Sequence, residues 1–426
     1  MYVYVVRPRD TLAAIAREFN TNEQELRQLN GLTGTALTPG ISLLVPGPPS
    51  TLIHHTVGPG ESQTIIARLY RIPEIAVAAA NGLAPNAQLE IGQILFVPLP
   101  IAEKKHADVN GYLIPSGTEH DSQVVRESGE LTYVTIFSYR ASPAGDIIAL
   151  PSQQALTEIK ARGIAPLLCV TNFDGSNFNT ELAHTILSNA TLRQKVIAAI
   201  HQVLTSQGFR GINIDFEHMQ PSDRPLYNEF IRELYQHMNP LGYSVSIAMG
   251  PKTRDEPGAA WMGAFDYKTL GSIVDFIMLM TYEWGWVGGP PMAIAPIDQV
   301  RAVLEYATSV IPADKILMGI ATYGYDWRIP DTPNNLATGV SPNRAQNLAI
   351  ERGTTVRFDP LSASPTFRYW VGSQEHEIWY EDPRSIMAKL HLVYEMGLRG
   401  ISFWVLGQPF PQMWQLVADT FIVNHV

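Results

Sequence analysis

The 426 residues contain a single cysteine, Cys169, and it lies in the apolar run 164–170. A disulfide framework is excluded, and a thiol in such a run is expected to be buried rather than nucleophilic. Basic runs are missing as well. There are 30 Lys and Arg against 40 Asp and Glu, giving a net charge of −10. With no cluster of cations to meet a phosphate backbone, a nucleic-acid partner is not expected. No apolar run reaches the ~20 residues of a membrane span, so no membrane partner is expected either. The opening residues from Met1 to Pro8 lack a basic n-region, an apolar core and a small-residue cleavage site. Export by the usual signal is therefore not expected.

The composition that remains, 46% apolar and 16% charged, is ordinary for a globular protein, and the length suggests two or three domains. Residues 1–100 hold six basic and seven acidic side chains, so the acidity belongs to the C-terminal part.

Sliding the first hundred residues over themselves reveals a repeat. At an offset of 51, Asp10-Thr11 meets Glu61-Ser62, Ile15-Ala16 meets Ile66-Ala67, Phe19 meets Tyr70, and Asn30-Gly31-Leu32 meets Asn81-Gly82-Leu83. After one inserted residue, Leu37, Gly40 and Pro46 meet Leu89, Gly92 and Pro98 at 52. Each copy reads as strand, helix, helix, strand. In the first, Asp10 or Thr11 caps a helix whose Leu12, Ile15, Ala16 and Phe19 share one face, and Asn30-Gly31 ends a second. Residues 47–50, Gly-Pro-Pro-Ser, form a stiff linker. Both copies resemble LysM modules, over 1–47 and 53–99, with the opening strand, the Asp-Thr-Leu helix start, the central Asn-Gly-Leu and the closing Val-Pro. The second departs mildly at Gly60-Glu61-Ser62-Gln63. The resemblance implies binding of N-acetylglucosamine-containing glycans such as peptidoglycan and chitin.

From about residue 107 the pattern changes. Strands are expected at 109–114, 132–139, 164–171, 211–217, 244–249, 273–282, 316–323 and 400–404. Helical stretches, among them 152–162, 191–207, 226–237, 297–310 and 383–396, lie between them. Eight strands with crossovers point to an α/β fold, a (β/α)8 barrel over 107–426. A doubly wound open sheet is the alternative, weakened because no glycine-rich phosphate loop follows any strand. Residues 326–380 exceed a crossover and contain strand-like 354–358 and 367–371, so a small α+β insertion is expected there.

The stretch Gly211-Ile212-Asn213-Ile214-Asp215-Phe216-Glu217 alternates polar and apolar residues at the period of a strand. Asn213, Asp215 and Glu217 thus share a face. Carboxylates at two-residue spacing are roughly 7 Å apart, too crowded for both to ionise in a dry site, so one is expected to keep its proton near neutral pH. In a barrel the site lies at the C-terminal strand ends. Parity brings Met278, Met280 and Tyr282 to one face of the sixth strand, and Ser402 with Trp404 to one face of the eighth.

These residues resemble glycoside hydrolase family 18. Arg210-Gly211-Ile212-Asn213-Ile214-Asp215-Phe216-Glu217 matches its Asp-Gly-x-Asp-x-Asp-x-Glu signature, and Met280-Thr281-Tyr282-Glu283 matches Met-x-Tyr-Asp. Tyr323-Gly324, Trp404 and Gly111-Tyr112 match the motifs of the seventh, eighth and first strands. The resemblance implies retaining hydrolysis in which the substrate's own acetamido group is the nucleophile. Glu217 would be the acid and then the base, Asp215 the acetamido partner, Tyr282 the donor to the acetamido oxygen and Trp404 the floor. Asn213, Met280, Glu283, Tyr112 and Tyr323 would complete the substrate contacts. No metal or organic cofactor is implied. Asn213 and Glu283 stand where the family more often has Asp, departures that bear on the pH optimum.

His54-His55, Glu119-His120-Asp121 and Glu375-His376-Glu377 lack metal-motif spacing and are read as solvated surface. One of Trp284 and Trp286, just after the sixth strand, is a candidate sugar platform. Trp327, Trp370 and Trp379 are expected in the core. The combination resembles the spore-associated peptidoglycan hydrolases of endospore-forming bacteria, which implies a monomeric N-acetylglucosaminidase acting on cortex glycan and residing in the outer spore layers. A chitin or chito-oligosaccharide hydrolase and a catalytically silent glycan-binding coat protein are the alternatives.

Overall fold

The structure, a computed structural model, describes residues 1–330 and 336–426. The two N-terminal copies fold as the repeat requires. The first runs Tyr2–Val5, Leu12–Glu18, Glu23–Leu29, Ser42–Val45, and the second Ser50–Thr56, Gln63–Tyr70, Glu74–Asn81, Ile94–Pro100. Each pairs its two strands antiparallel. Thr11 is the first cap, accepting from the Ala14 N–H, while Asp10 instead accepts from the Arg7 N–H and the Tyr4 hydroxyl. Ser62 caps the corresponding helix of the second copy. In both, a half-turn asparagine ties helix to strand. Asn30 donates to the Leu26 and Leu44 carbonyls, and Asn81 to those of Val77 and Phe96.

Eight parallel strands close the barrel in the order Lys105–Leu113, Tyr133–Ala141, Ala165–Thr171, Gly211–Asp215, Ser244–Met249, Phe276–Leu279, Ile316–Ala321, Gly400–Trp404 and back to the first. Three strands end two or three residues earlier than expected. The fourth stops at Asp215, the sixth at Leu279 and the seventh at Ala321, so Glu217, Tyr282 and Tyr323 stand on loops just beyond the sheet. Parallel pairing ends where the splaying strands part at the barrel mouth, and alternation in the sequence continues past that point. Residues 273–275, expected in the sixth strand, begin instead with the end of the helix Tyr267–Ile273. The first strand starts earlier than expected because the C-terminal Phe421–Val423 pairs with Lys105 to Ala107.

The insertion is a five-stranded antiparallel sheet, Gly324–Ile329, Thr338–Val340, Arg357–Asp359, Ser364–Val371 and Gln374–Trp379, carrying the helix Pro342–Arg352. Residues 331–335 of the expected 326–380 span lie outside the described residues. Residues 354–356 are not in a strand, and Arg357–Asp359 takes that place. The apolar core of the first copy is continuous with the core of this insertion: Leu32, Ile41 and Val45 pack in one cluster with Ala345, Leu348, Val356 and Tyr380. Trp327 is buried as expected, Trp379 is half-buried, and Trp370, expected in the core, is 58% exposed on an outer face of the insertion sheet. No helix among the described residues is long and apolar enough to cross a membrane.

Candidate active site

Side chains that point into the barrel form a polar layer beneath its mouth. Asn110 donates to the Ser402 hydroxyl at 2.9 Å and accepts from Thr135 at 2.8 Å. Asn213 is fully buried, accepting from the Tyr112 hydroxyl at 2.9 Å and donating to the Ser246 hydroxyl at 3.1 Å. Its amide is therefore engaged beneath the cavity, and Asn213, expected to contact substrate, is not among the cavity-lining residues. Cys169 is buried in the same lumen beside Tyr112, Met278 and Leu317.

Above this layer opens a cavity of about 580 Å³. It is lined by Asp215, Glu217, Tyr282, Trp404, Met280, Glu283 and Tyr112, which strand parity and motif spacing had singled out. Asp215 is buried and its Oδ1 meets no hydrogen-bond donor. Burial without a compensating partner raises its pKa from the ordinary carboxylate range to about 7. Glu217 is pushed well above its usual range, first by burial, then by the charges of Asp215 and Glu283. Both acids are thus displaced upward, and on Glu217 the neighbouring charges add to the effect of burial, which favours its protonated form. The Tyr282 phenol is also held well above its ordinary pKa, by burial and the same carboxylates, so it remains a donor.

Glu217 is aimed by its backbone. Asn172, fully buried, accepts from the Glu217 N–H at 2.9 Å and donates to the Glu217 carbonyl at 2.8 Å. His218, next in sequence, has a left-handed φ of +52°. Its ring stacks on Trp261 with centroids 5.6 Å apart, forming one wall with Phe178. Opposite, Trp404 lies edge-on to Phe137 and Tyr112, with centroids 4.8 and 5.4 Å away. The peptide bonds after Phe137 and Trp404 are both cis. Gly319 leaves room for Tyr282, because a Cβ there would lie 2.8 Å from the Tyr282 ring.

Glu283 adopts φ +69° and accepts at Oε1 from the hydroxyls of Tyr323 at 2.6 Å and Tyr325 at 2.9 Å. Tyr323, also expected to contact substrate, stands behind Glu283 and outside the cavity lining. Of the two tryptophans after the sixth strand, Trp286 lines the cavity and is 49% exposed, while Trp284 packs against the barrel core. Trp261, His218, Phe178, Phe137 and Asn172 carry no signal in the sequence pattern. Only the position of His218 directly after the acid could have drawn attention to it.

The three histidine-containing clusters lie elsewhere. His55 pairs with Glu61 and Tyr70, Asp121 accepts from the N–H groups of Ser116 and Gly117, and His376 pairs with Asp326. Among the described residues no three His, Cys, Asp or Glu side chains converge as a metal site would need.

A buried acid pair, a phenol and an indole in one cleft suit a glycosidic bond, and comparison with known proteins agrees. The family model "Glycosyl hydrolases family 18" matches residues 119–408, and "LysM domain" matches 4–46 and 55–98. The cortical fragment-lytic enzyme of Bacillus subtilis is 37% identical, covering 99% of both chains. Among solved structures, the spore cortex-lytic enzyme SleL of Bacillus cereus aligns with a TM-score of 0.85 at 35% identity over 99% of this chain and 98% of that one. A chitinase from Chromobacterium violaceum aligns at 0.67 and 26% identity over 74% of this chain and 98% of that one. With its catalytic barrel matched by the family model and its whole length by such relatives, the chain belongs to glycosyl hydrolases family 18 and carries two LysM domains ahead of the barrel.

Proposed function

We propose that this protein hydrolyses spore cortex peptidoglycan, cleaving after N-acetylglucosamine by a retaining, substrate-assisted route. The observation that carries the reading is the buried acid pair: Asp215 and Glu217 share one cavity with Tyr282 and Trp404, and burial with the charges of Asp215 and Glu283 favours the protonated form of Glu217. Full-length similarity to enzymes named for cortical fragments supports the choice of substrate.

In this scheme Trp404 floors the sugar to be cleaved, and Glu217 donates its proton to the glycosidic oxygen. The carbonyl oxygen of the sugar's 2-acetamido group attacks the anomeric carbon and forms an oxazolinium ion. Asp215 accepts from the acetamido N–H and balances the growing positive charge, and the Tyr282 hydroxyl donates to the acetamido oxygen. Glu217, now a carboxylate, takes a proton from the attacking water, and the sugar is released with its configuration retained. A muramic lactam lacks the free acetamido group and could not occupy the cleaved position. The LysM domains hold the enzyme on glycan, and we place the protein, as a monomer, in the outer layers of the spore.

The test compares product release from purified cortex fragments and from chitin oligomers, for the parent chain and for Glu217→Gln. Cortex fragments should be preferred, and the variant should lose roughly 10²–10⁴-fold in rate, the usual value of a general acid. A strong preference for chitin oligomers would make this a chitin hydrolase. Equal inertness of parent and variant on every N-acetylated glycan would make it a binding protein.

A further inference from the structure

The duplication supplies an internal control, since the two LysM copies share a fold and differ in what covers them. In the first, the segment between second helix and closing strand is seated on the catalytic domain. The Asn30 carbonyl accepts from Gln346 at 2.8 Å and from Gln412 at 3.3 Å. Asn347 donates to the Gly31 carbonyl at 2.9 Å and accepts from the Thr33 N–H at 3.1 Å. Thr38 donates to the Thr354 carbonyl, and the Val356 N–H donates to the Pro39 carbonyl at 3.0 Å. Arg384 donates to the Gly40 carbonyl at 3.0 Å, and Ser42 donates to Asp382 at 2.8 Å.

The second copy meets the catalytic domain through its sheet instead, with Phe96 edge-on to Phe358 at 5.0 Å. Among the described residues, its segment 86–93, equivalent to 34–41, makes hydrogen bonds only within its own copy. Two equivalent glycines state the difference. A Cβ at Gly40 would strike the Val356 carbonyl, whereas at Gly92 it would meet nothing within 4 Å. Beside Gly92, Ile91 is 72% exposed, while its counterpart Pro39 is bonded to the insertion.

We propose that the copies have divided their roles: the first is a fixed joint that clamps the insertion to the barrel, and glycan is held by the second through residues 86–93. This rests on the reading that the LysM region binds N-acetylated glycan. The partner is an extended N-acetylglucosamine-containing strand, which can reach the open segment 86–93 and cannot reach residues 38–41, which are occupied by the protein's own catalytic domain.

The experiment sediments the full-length chain, made inert by Glu217→Gln, with insoluble cortex peptidoglycan and with chitin beads. Ile91→Asp is expected to lower the bound fraction at least tenfold with an unchanged melting temperature. Thr35→Asp, at an exposed position of the first copy, should bind as the parent does. Asn347→Ala should lower the melting temperature and leave binding intact. Loss of binding in Thr35→Asp, or parental binding in Ile91→Asp, would overturn the division of roles. Failure of the Glu217→Gln parent to sediment with either glycan would instead overturn the reading on which it rests.

Discussion

Replacing Asp215 by Asn tests the electrostatics of the cleft most directly. Asp215 ends its strand and Glu217 follows two residues on, a spacing of roughly 7 Å for extended backbone. At an effective dielectric of about 20, one charge at that distance disfavours ionisation of the other by about 2 kcal/mol, or roughly 1.5–2 pH units. Catalysis needs Asp215 charged and Glu217 protonated, so the parent should give a bell-shaped rate profile. Its acid limb is assigned to Asp215, whose pKa burial raises to about 7, and its alkaline limb to Glu217, which burial and the charges of Asp215 and Glu283 push up. In Asp215→Asn the acid limb should vanish, because the amide does not titrate. The alkaline limb should move down by those roughly 1.5–2 units, because one of the charges that raise the Glu217 pKa is gone while burial and Glu283 remain. The rate at the optimum should fall by about 10²–10³, as when one preorganised electrostatic partner is removed. Initial rates of reducing-end release from N-acetylated cortex fragments, measured across both limbs, provide the assay. An acid limb that persists in the variant, or an alkaline limb that stays in place, would refute the assignment.

The same substitution should raise the melting temperature, more at about pH 8 than at about pH 5. A carboxyl whose folded pKa is about 7 is increasingly destabilising as pH rises from its ordinary range through that value, and Asn removes the penalty. Gly319→Ala should cost about 1–3 kcal/mol by overpacking against the Leu279 carbonyl and the Tyr282 ring, 2.4 and 2.8 Å from the new Cβ, and should lower kcat, read by denaturant unfolding and steady-state kinetics. Asn172→Ala strands the N–H and carbonyl of Glu217, so it should destabilise by about 1–3 kcal/mol per orphaned group and reduce kcat far more than it changes KM. Trp286→Ala, at a half-exposed cavity wall, should raise KM for oligosaccharides several-fold with unfolding unchanged within about 0.5 kcal/mol.

What the chain carries locally was readable without coordinates. The repeat, the alternation from Asn213 to Glu217, and the parity that sends Tyr282 and Trp404 to the same rim all follow from side-chain chemistry at short, fixed periods. Barrel closure then brings those residues to one cavity. The tertiary structure alone decided where pairing stops, leaving Glu217 and Tyr282 on loops beyond their strands. It buried Asn213 between Tyr112 and Ser246, aimed Glu217 through Asn172, and built the far wall from Trp261, His218 and Phe178. Asn172 lies 45 residues from Glu217, and Tyr323 lies 40 from the Glu283 carboxylate it holds. No local period encodes such pairs. Likewise the two LysM sequences read as equals, and only packing of the insertion against the first copy, through contacts more than 300 residues apart in the chain, made them different.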